Sequence, residues 1–328
     1  MSNKLKNQIL IDGLEYCNWN REILEDLWKG GVTAVHVTLI YWENTEESFA
    51  KIKQMERLIT DNSDIICHAK SSQDILEAKK NNKVAFIFGF QNSAPIANDI
   101  FLVERFFEKG LRFMQLTYNN QTSLGGGCFE PKDSGVSRFG HSVIEEMNRL
   151  GMIVDLSHAG KNTCLDAIKF SSKPVAISHA NPNFFHKAVR NIDQDVLINL
   201  ANKNGFIGLS LYPFHLKDQG KCKIEDFCSM IKQLINLIGI DHIGIGSDLC
   251  TNWPNDIVMW MRNGKWTKKL DYGESLTKSP SWPEQTSWFK KGSDMKNIFE
   301  AMLLNGFSEE EAFKILGKNW LEFMQIHF

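Results

Sequence analysis

The sequence predicts a (β/α)8 TIM barrel, α/β in class, with residues 1–328 forming a single domain. Three observations support this. Short apolar runs rich in β-branched residues alternate with helical stretches, as parallel strands joined by helical crossovers do. The runs number eight. The length of 328 residues suits one eight-fold barrel better than an ordinary single core. A doubly wound open sheet shares the alternation, and the count of eight favours closure.

The eight runs are residues 8–16, 32–40, 83–90, 112–118, 152–158, 174–179, 205–212 and 242–248. Helical patterns lie between them at 22–29, 46–59, 136–150, 195–202 and 224–238. In the third of these, Ile144, Met147 and Leu150 recur at helical spacing. Ser308 followed by Glu311 is a capping-box pattern and starts the penultimate helix. Residues 251–293 break the rhythm. This stretch carries Trp253, Trp260, Trp266, Trp282 and Trp288 among prolines and glycines, and loops of that length act as lids or binding loops.

Composition narrows the function. A net charge of -2 and scattered lysines give no field for nucleic acid or an anionic membrane. Residues 1–8 lack a signal pattern, and no run of about 18 apolar residues occurs, so a cytoplasmic protein is expected. Seven cysteines, an odd number without a CxxC pair, read as free packing thiols.

Polar residues gather where the apolar runs end, which in a barrel is the catalytic face. His158 and His179 close the fifth and sixth runs. Neighbouring parallel strands lie about 5 Å apart, so two such imidazoles make a natural metal pair. Asp248 closes the eighth run, where a carboxylate can take a proton from water. A lone histidine more often packs than ligates, and the other seven are read that way. Gln91 follows the third run, and Tyr118 and Asn119 end the fourth, placed to donate to a developing oxyanion.

From these residues outward the chain resembles the membrane (renal) dipeptidase family of zinc hydrolases. The segments LTYNN, GGGCFE, DSGVSRFG, EEMNRLGMIVDLSHAG, SSKPVAISHA, VRNIDQD, GIDHIGIGSDL and GKNWLEF carry the resemblance, which covers about four-fifths of the chain. It implies a (β/α)8 fold, a homodimer, and a site that in the family holds two zinc ions. His158 and His179 match the second zinc's ligands, and Asp248 matches a carboxylate near the first zinc and the substrate amine. Arg190 matches the arginine that receives the substrate carboxylate, with Asn191 beside it; capping the next helix or pairing with Asp193 is the alternative for Arg190.

The departures are as specific. Where the family has Asp-Gly-His-x-Asp, this chain has Asp12-Gly13-Leu14-Glu15-Tyr16. The bridging glutamate is Gln91, and the fourth-strand histidine is Tyr118. Glu15 alternates away from the site face. The expectation is therefore one zinc per chain, on His158, His179 and Gln91, with the other site lost. The expected substrate is a small amide or dipeptide bearing a carboxylate. The tryptophan faces, with Trp19, suggest an N-methylated amine. A catalytically inactive barrel that binds small molecules is the alternative.

Overall fold

The structure is a computed structural model that describes residues 3–263 and 281–328. Its strands are β1 (Ile11–Cys17), β2 (Ala34–Ile40), β3 (Ile66–His68), β4 (Val84–Phe90) and β5 (Leu111–Gln115), followed by β6 (Ile153–Asp155), β7 (Ala176–Ala180), β8 (Phe206–Leu209), β9 (Ile243–Ile245) and β10 (Leu249–Thr251). All pairings between them are parallel. The order runs β1-β2-β4-β5-β6-β7-β8-β9, and β9 pairs back onto β1 through Ile245 and Asp12, which closes an eight-strand barrel. The expected fold class is the one observed.

Two details went beyond the expectation. β3 is an added strand that pairs with the first half of β4. The last expected run is broken: β9 ends at Ile245, and β10 resumes against Glu15, Tyr16 and Cys17 of β1. The expected helices occur at Arg21–Lys29, Thr45–Asp61, Arg138–Leu150, Gln194–Asn202 and Ile224–Ile238. Asn20 caps the first, and capping boxes start the second (Asn44 with Glu47) and the Glu309–Phe313 helix (Ser308 with Glu311). Among the described residues no helix is long and apolar enough to cross a membrane. All seven cysteines are free thiols.

The barrel is filled by a plug rather than by strand side chains alone. Trp320, on the helix Asn319–Gln325, is fully buried and donates its indole N–H to the Ile245 carbonyl at 2.7 Å. It takes space that side chains would need at Gly13 and Gly244, where a Cβ would lie 2.3 and 2.7 Å from its ring. Above it His36 stacks on Phe113, with ring centroids 4.1 Å apart. A Cβ at Gly89 would collide with that imidazole. The glycines on β1, β4 and β9 thus let large rings fill a narrow barrel to the density that stability requires.

Candidate active site

His158 and His179 meet at the carboxyl ends of β6 and β7, with their Nε2 atoms 3.0 Å apart. Each is fixed through its other ring nitrogen. His158 Nδ1 bonds to Asn119 Oδ1. His179 Nδ1 bonds to Ser178 Oγ at 2.7 Å, and Ser178 in turn donates to the buried carboxylate of Asp155. Asp155 also holds Ser157 Oγ at 2.7 Å, and Ser157 accepts the His179 backbone N–H at 3.1 Å. An amide oxygen accepts from His158, and a hydroxyl already donating to a carboxylate accepts from His179. Both imidazoles therefore carry their proton on Nδ1 and present an Nε2 lone pair, the tautomer that metal ligation requires. Burial, reinforced by the Arg190 charge, holds both well below the usual imidazole pKa, so both are neutral.

Two other site residues adopt left-handed backbone: Asn119 at φ 63° and Asp248 at φ 55°. For non-glycine residues this costs about 1–2 kcal/mol and is found where surrounding structure enforces it, often at functional sites. Asn119 tolerates it well as a residue type, and the turn aims its carboxamide at His158. Asp248 occupies the break between β9 and β10.

Asp248, Gln91, Tyr118, Asn119, His158 and Arg190 line one cavity at the carboxyl end of the barrel. Gln91 donates its amide N–H groups to Thr38 Oγ1 at 2.9 Å and Tyr41 Oη at 3.0 Å, which leaves its oxygen as the atom for the cavity. Arg190 is buried and donates to the His179 carbonyl at 3.3 Å. The Tyr118 ring lies 4.3 Å from that of His158. Asn119 lines the cavity, as expected of a substrate-binding residue, and in addition supports His158.

Asn191 needs a correction. It does not line the cavity: its amide donates to the carbonyls of His186 and His215, at 2.8 and 3.0 Å, and its oxygen accepts from Asn181 N. The amide ties the 181–192 loop to the segment after β8. The sequence reading missed Tyr41, Tyr212, His215 and Arg262 on the cavity wall. For Tyr212 and His215 a signal existed, because Tyr212 ends the seventh run, at the catalytic face, and His215 follows it. Arg262 lies on the helix Asn255–Asn263 and had none.

At the two altered positions of β1 the structure holds packing side chains. Leu14 is fully buried. Tyr16 is 4.7 Å edge-on from Tyr41 and stacks on Trp253 at 4.7 Å. Trp260 meets Tyr41 edge-on at 6.0 Å. This aromatic cluster fastens the helix Asn255–Asn263 to the barrel mouth. Trp253 and Trp260 are therefore packing residues, Trp288 donates to the Cys222 carbonyl, and Trp19 packs on Phe86. Trp282 lines the cavity, and Trp266 lies outside the described residues.

Among the described residues no group of three His, Cys, Asp or Glu is arranged to hold a metal. Two ions do not fit this donor set. One ion fits the histidine pair, because ligands about 2.0–2.1 Å from a tetrahedral ion stand about 3.3 Å apart, close to the Nε2 separation here.

Known proteins share this sequence pattern and this fold. A model of the membrane dipeptidase family (peptidase family M19) matches residues 17–256. Dipeptidase tcpJ of Claviceps purpurea is 26% identical over 283 residues, 85% of this chain and 60% of that protein. An uncharacterized dipeptidase of Schizosaccharomyces pombe, C965.12, is 29% identical over 62% of this chain and 50% of its own length. The alignments thus span about half to three-fifths of these curated relatives. The crystal structure of an amidohydrolase from Pseudomonas aeruginosa superposes with a TM-score of 0.92 at 33% identity, covering 99% of this chain and 98% of that one. A metallo peptidase from Rhodobacter sphaeroides, bound to a phosphinate mimic of L-Ala-D-Ala, shares the fold with a TM-score of 0.81 at 16% identity, over 98% of this chain and 100% of its own.

Proposed function

The chain belongs to the membrane dipeptidase family, and from that premise we propose that it hydrolyses the amide bond of a small, dipeptide-like carboxylate with one metal ion per chain. One observation carries the reading: His158 Nε2 and His179 Nε2 meet 3.0 Å apart beside a cavity lined by both Asp248 and Arg190. That is a neutral ligand pair, a carboxylate and a guanidinium around one space. His158 and His179, with the Gln91 oxygen, would hold a zinc ion, which when bound would supply Lewis acidity at the scissile carbonyl.

The chain's own residues do the rest. The Arg190 fork receives the substrate carboxylate and fixes the amide in the cavity. Asp248 takes the proton of the attacking water and returns it to the departing nitrogen, so that one C–N bond is replaced by one C–O bond. The Tyr118 hydroxyl donates to the oxygen that becomes negative. The helix Asn255–Asn263 covers the mouth and limits water. Beside Asp248 the wall is aromatic, with Tyr41 and Tyr118, which suits an N-methylated amine as well as a primary one. A homodimer and a cytoplasmic location belong to the same proposal; residues 264–280 of the expected lid lie outside the described residues.

The deciding experiment is Asp248→Asn, assayed on a dipeptide and N-methyl dipeptide panel with zinc supplied. Turnover should vanish while metal content and melting temperature stay at the wild-type level. A variant that keeps the wild-type rate places the base elsewhere. A second reading, a small-molecule binding protein on this barrel, is the alternative, given that among the described residues only the histidine pair brings metal ligands together at the cavity. It predicts ligand binding without metal and no turnover by the wild type.

A further inference from the structure

Asp12 is the first residue of the altered Asp-Gly-Leu-Glu-Tyr segment, yet it has no place in the cavity. It is fully buried. Its Oδ1 accepts the backbone N–H of Ser247 at 2.7 Å and that of Leu14 at 3.2 Å. The register around it is irregular on both sides. Between Asp12 and Glu15, β1 shifts against β2. On the other flank Asp12 pairs with Ile245 and Glu15 with Leu249, so four steps of chain face three. The extra residue belongs to the Gly246–Asp248 break, and such a bulge re-aims a side chain beside an active site.

The break is held from both flanks: on the β8 side Gly246 N–H donates to the Leu209 carbonyl and the Ser247 carbonyl accepts the Leu211 N–H, both at 3.0 Å, while the Ser247 N–H and the Asp248 N–H are held from β1. Asp248 N–H donates to the Leu14 carbonyl at 3.0 Å, and the Ser247 hydroxyl donates to the same carbonyl at 3.4 Å. Ser247 Oγ also accepts the Leu249 N–H at 3.1 Å, which restarts the strand. The Ser247 N–H would otherwise be buried without a partner, and no other described acceptor takes it. The geometry points to Asp12 as the positioning residue for Asp248: its carboxylate clamps the bulge and so holds Asp248 in the left-handed conformation that faces the cavity. This explains why Asp12 has a role while Leu14 and Tyr16 ligate nothing. The kinetic part rests on Asp248 being the base, as proposed above, and the structural part does not.

The test uses the full chain with Asp12→Ala and Asp12→Asn. Crystal structures supply the first readout. Asp12→Ala should release Ser247 N–H and move Asp248 out of positive φ, and Asp12→Asn, which keeps an acceptor oxygen, should retain both. Hydrolysis of an Ala-Ala probe with zinc supplies the second. Asp12→Ala should lower kcat by about 100-fold, the scale of loss from misplacing a reacting group by about 1 Å, with KM little changed. Asp12→Asn should restore most of it. Should Asp12→Ala fail to fold, Asp12→Glu carries the same two readouts, because the added methylene moves the oxygens off Ser247. Asp248 still at positive φ in the Ala or Glu variant overturns the clamp. Wild-type protein inert on Ala-Ala, with the Asp248 turn lost in Asp12→Ala, upholds the clamp and removes the hydrolase reading instead.

Discussion

His158 and His179 face each other through unprotonated Nε2 atoms 3.0 Å apart, each fixed from behind by an acceptor. Two lone pairs at that distance repel unless a cation lies between them, so the arrangement favours metal uptake. Purified protein should take up one zinc per chain by elemental analysis, and His158→Ala or His179→Ala should take up none. Asn119→Ala, which frees the His158 ring, should weaken affinity by about 10–100-fold. Gln91→Glu should strengthen it, since the Thr38 and Tyr41 hydroxyls can rotate to donate to a carboxylate. Two equivalents bound by the wild type would show that the Leu14 and Tyr16 positions do not remove the other site.

Arg190→Lys separates a two-pronged carboxylate contact from a simple charge. The lysine ammonium cannot reproduce the planar fork, and the bond to the His179 carbonyl would be reorganised. KM should rise by about tenfold or more, the equivalent of about 1.4 kcal/mol. Equal kinetics for both residues would make Arg190 a support of its loop.

Glu15 gives a pH dependence of known sign. Burial, and then the Asp12 charge, raise its pKa well above the ordinary 4.5. The folded state therefore binds its proton more tightly than the unfolded chain does. Its stabilising contribution is complete below about pH 4.5 and is lost as pH rises through the folded pKa. Glu15→Gln should flatten the fall in melting temperature from about pH 5 to pH 8. Buried His36, lowered to about 4 by burial, acts in the opposite direction on the acid side, where stability falls as pH drops below 6.5. Both proteins share His36, so the difference between their curves reports the buried Asp12–Glu15 pair, in which burial also raises Asp12, to about 6. Parallel curves would mean that Glu15 is ionised in the fold.

Much of the fold and half of the site were legible in the sequence. Apolar runs marked the barrel strands because a parallel strand is buried on both faces. His158, His179 and Asp248 stood out as polar groups at the ends of such runs. Asn191 misled because adjacency in sequence to Arg190 says nothing about which way a loop amide turns. The tryptophans show a related point, since sequence does not say which aromatic faces packing leaves open: Trp253 and Trp260 pack on Tyr16 and Tyr41, while Tyr41 and Trp282 reach the cavity wall.

By itself, then, the sequence determined the barrel and the histidine pair at its mouth, because side-chain period and ligand chemistry are local properties. Tertiary structure decided the rest. It decided that Asn119 supports His158 and that Asp12 holds the Asp248 turn. It also brought Tyr41, Tyr212, His215 and Arg262 to one wall. These are contacts between residues up to 235 positions apart. They depend on barrel closure and on a one-residue bulge, and no local pattern of residues encodes where a register slips.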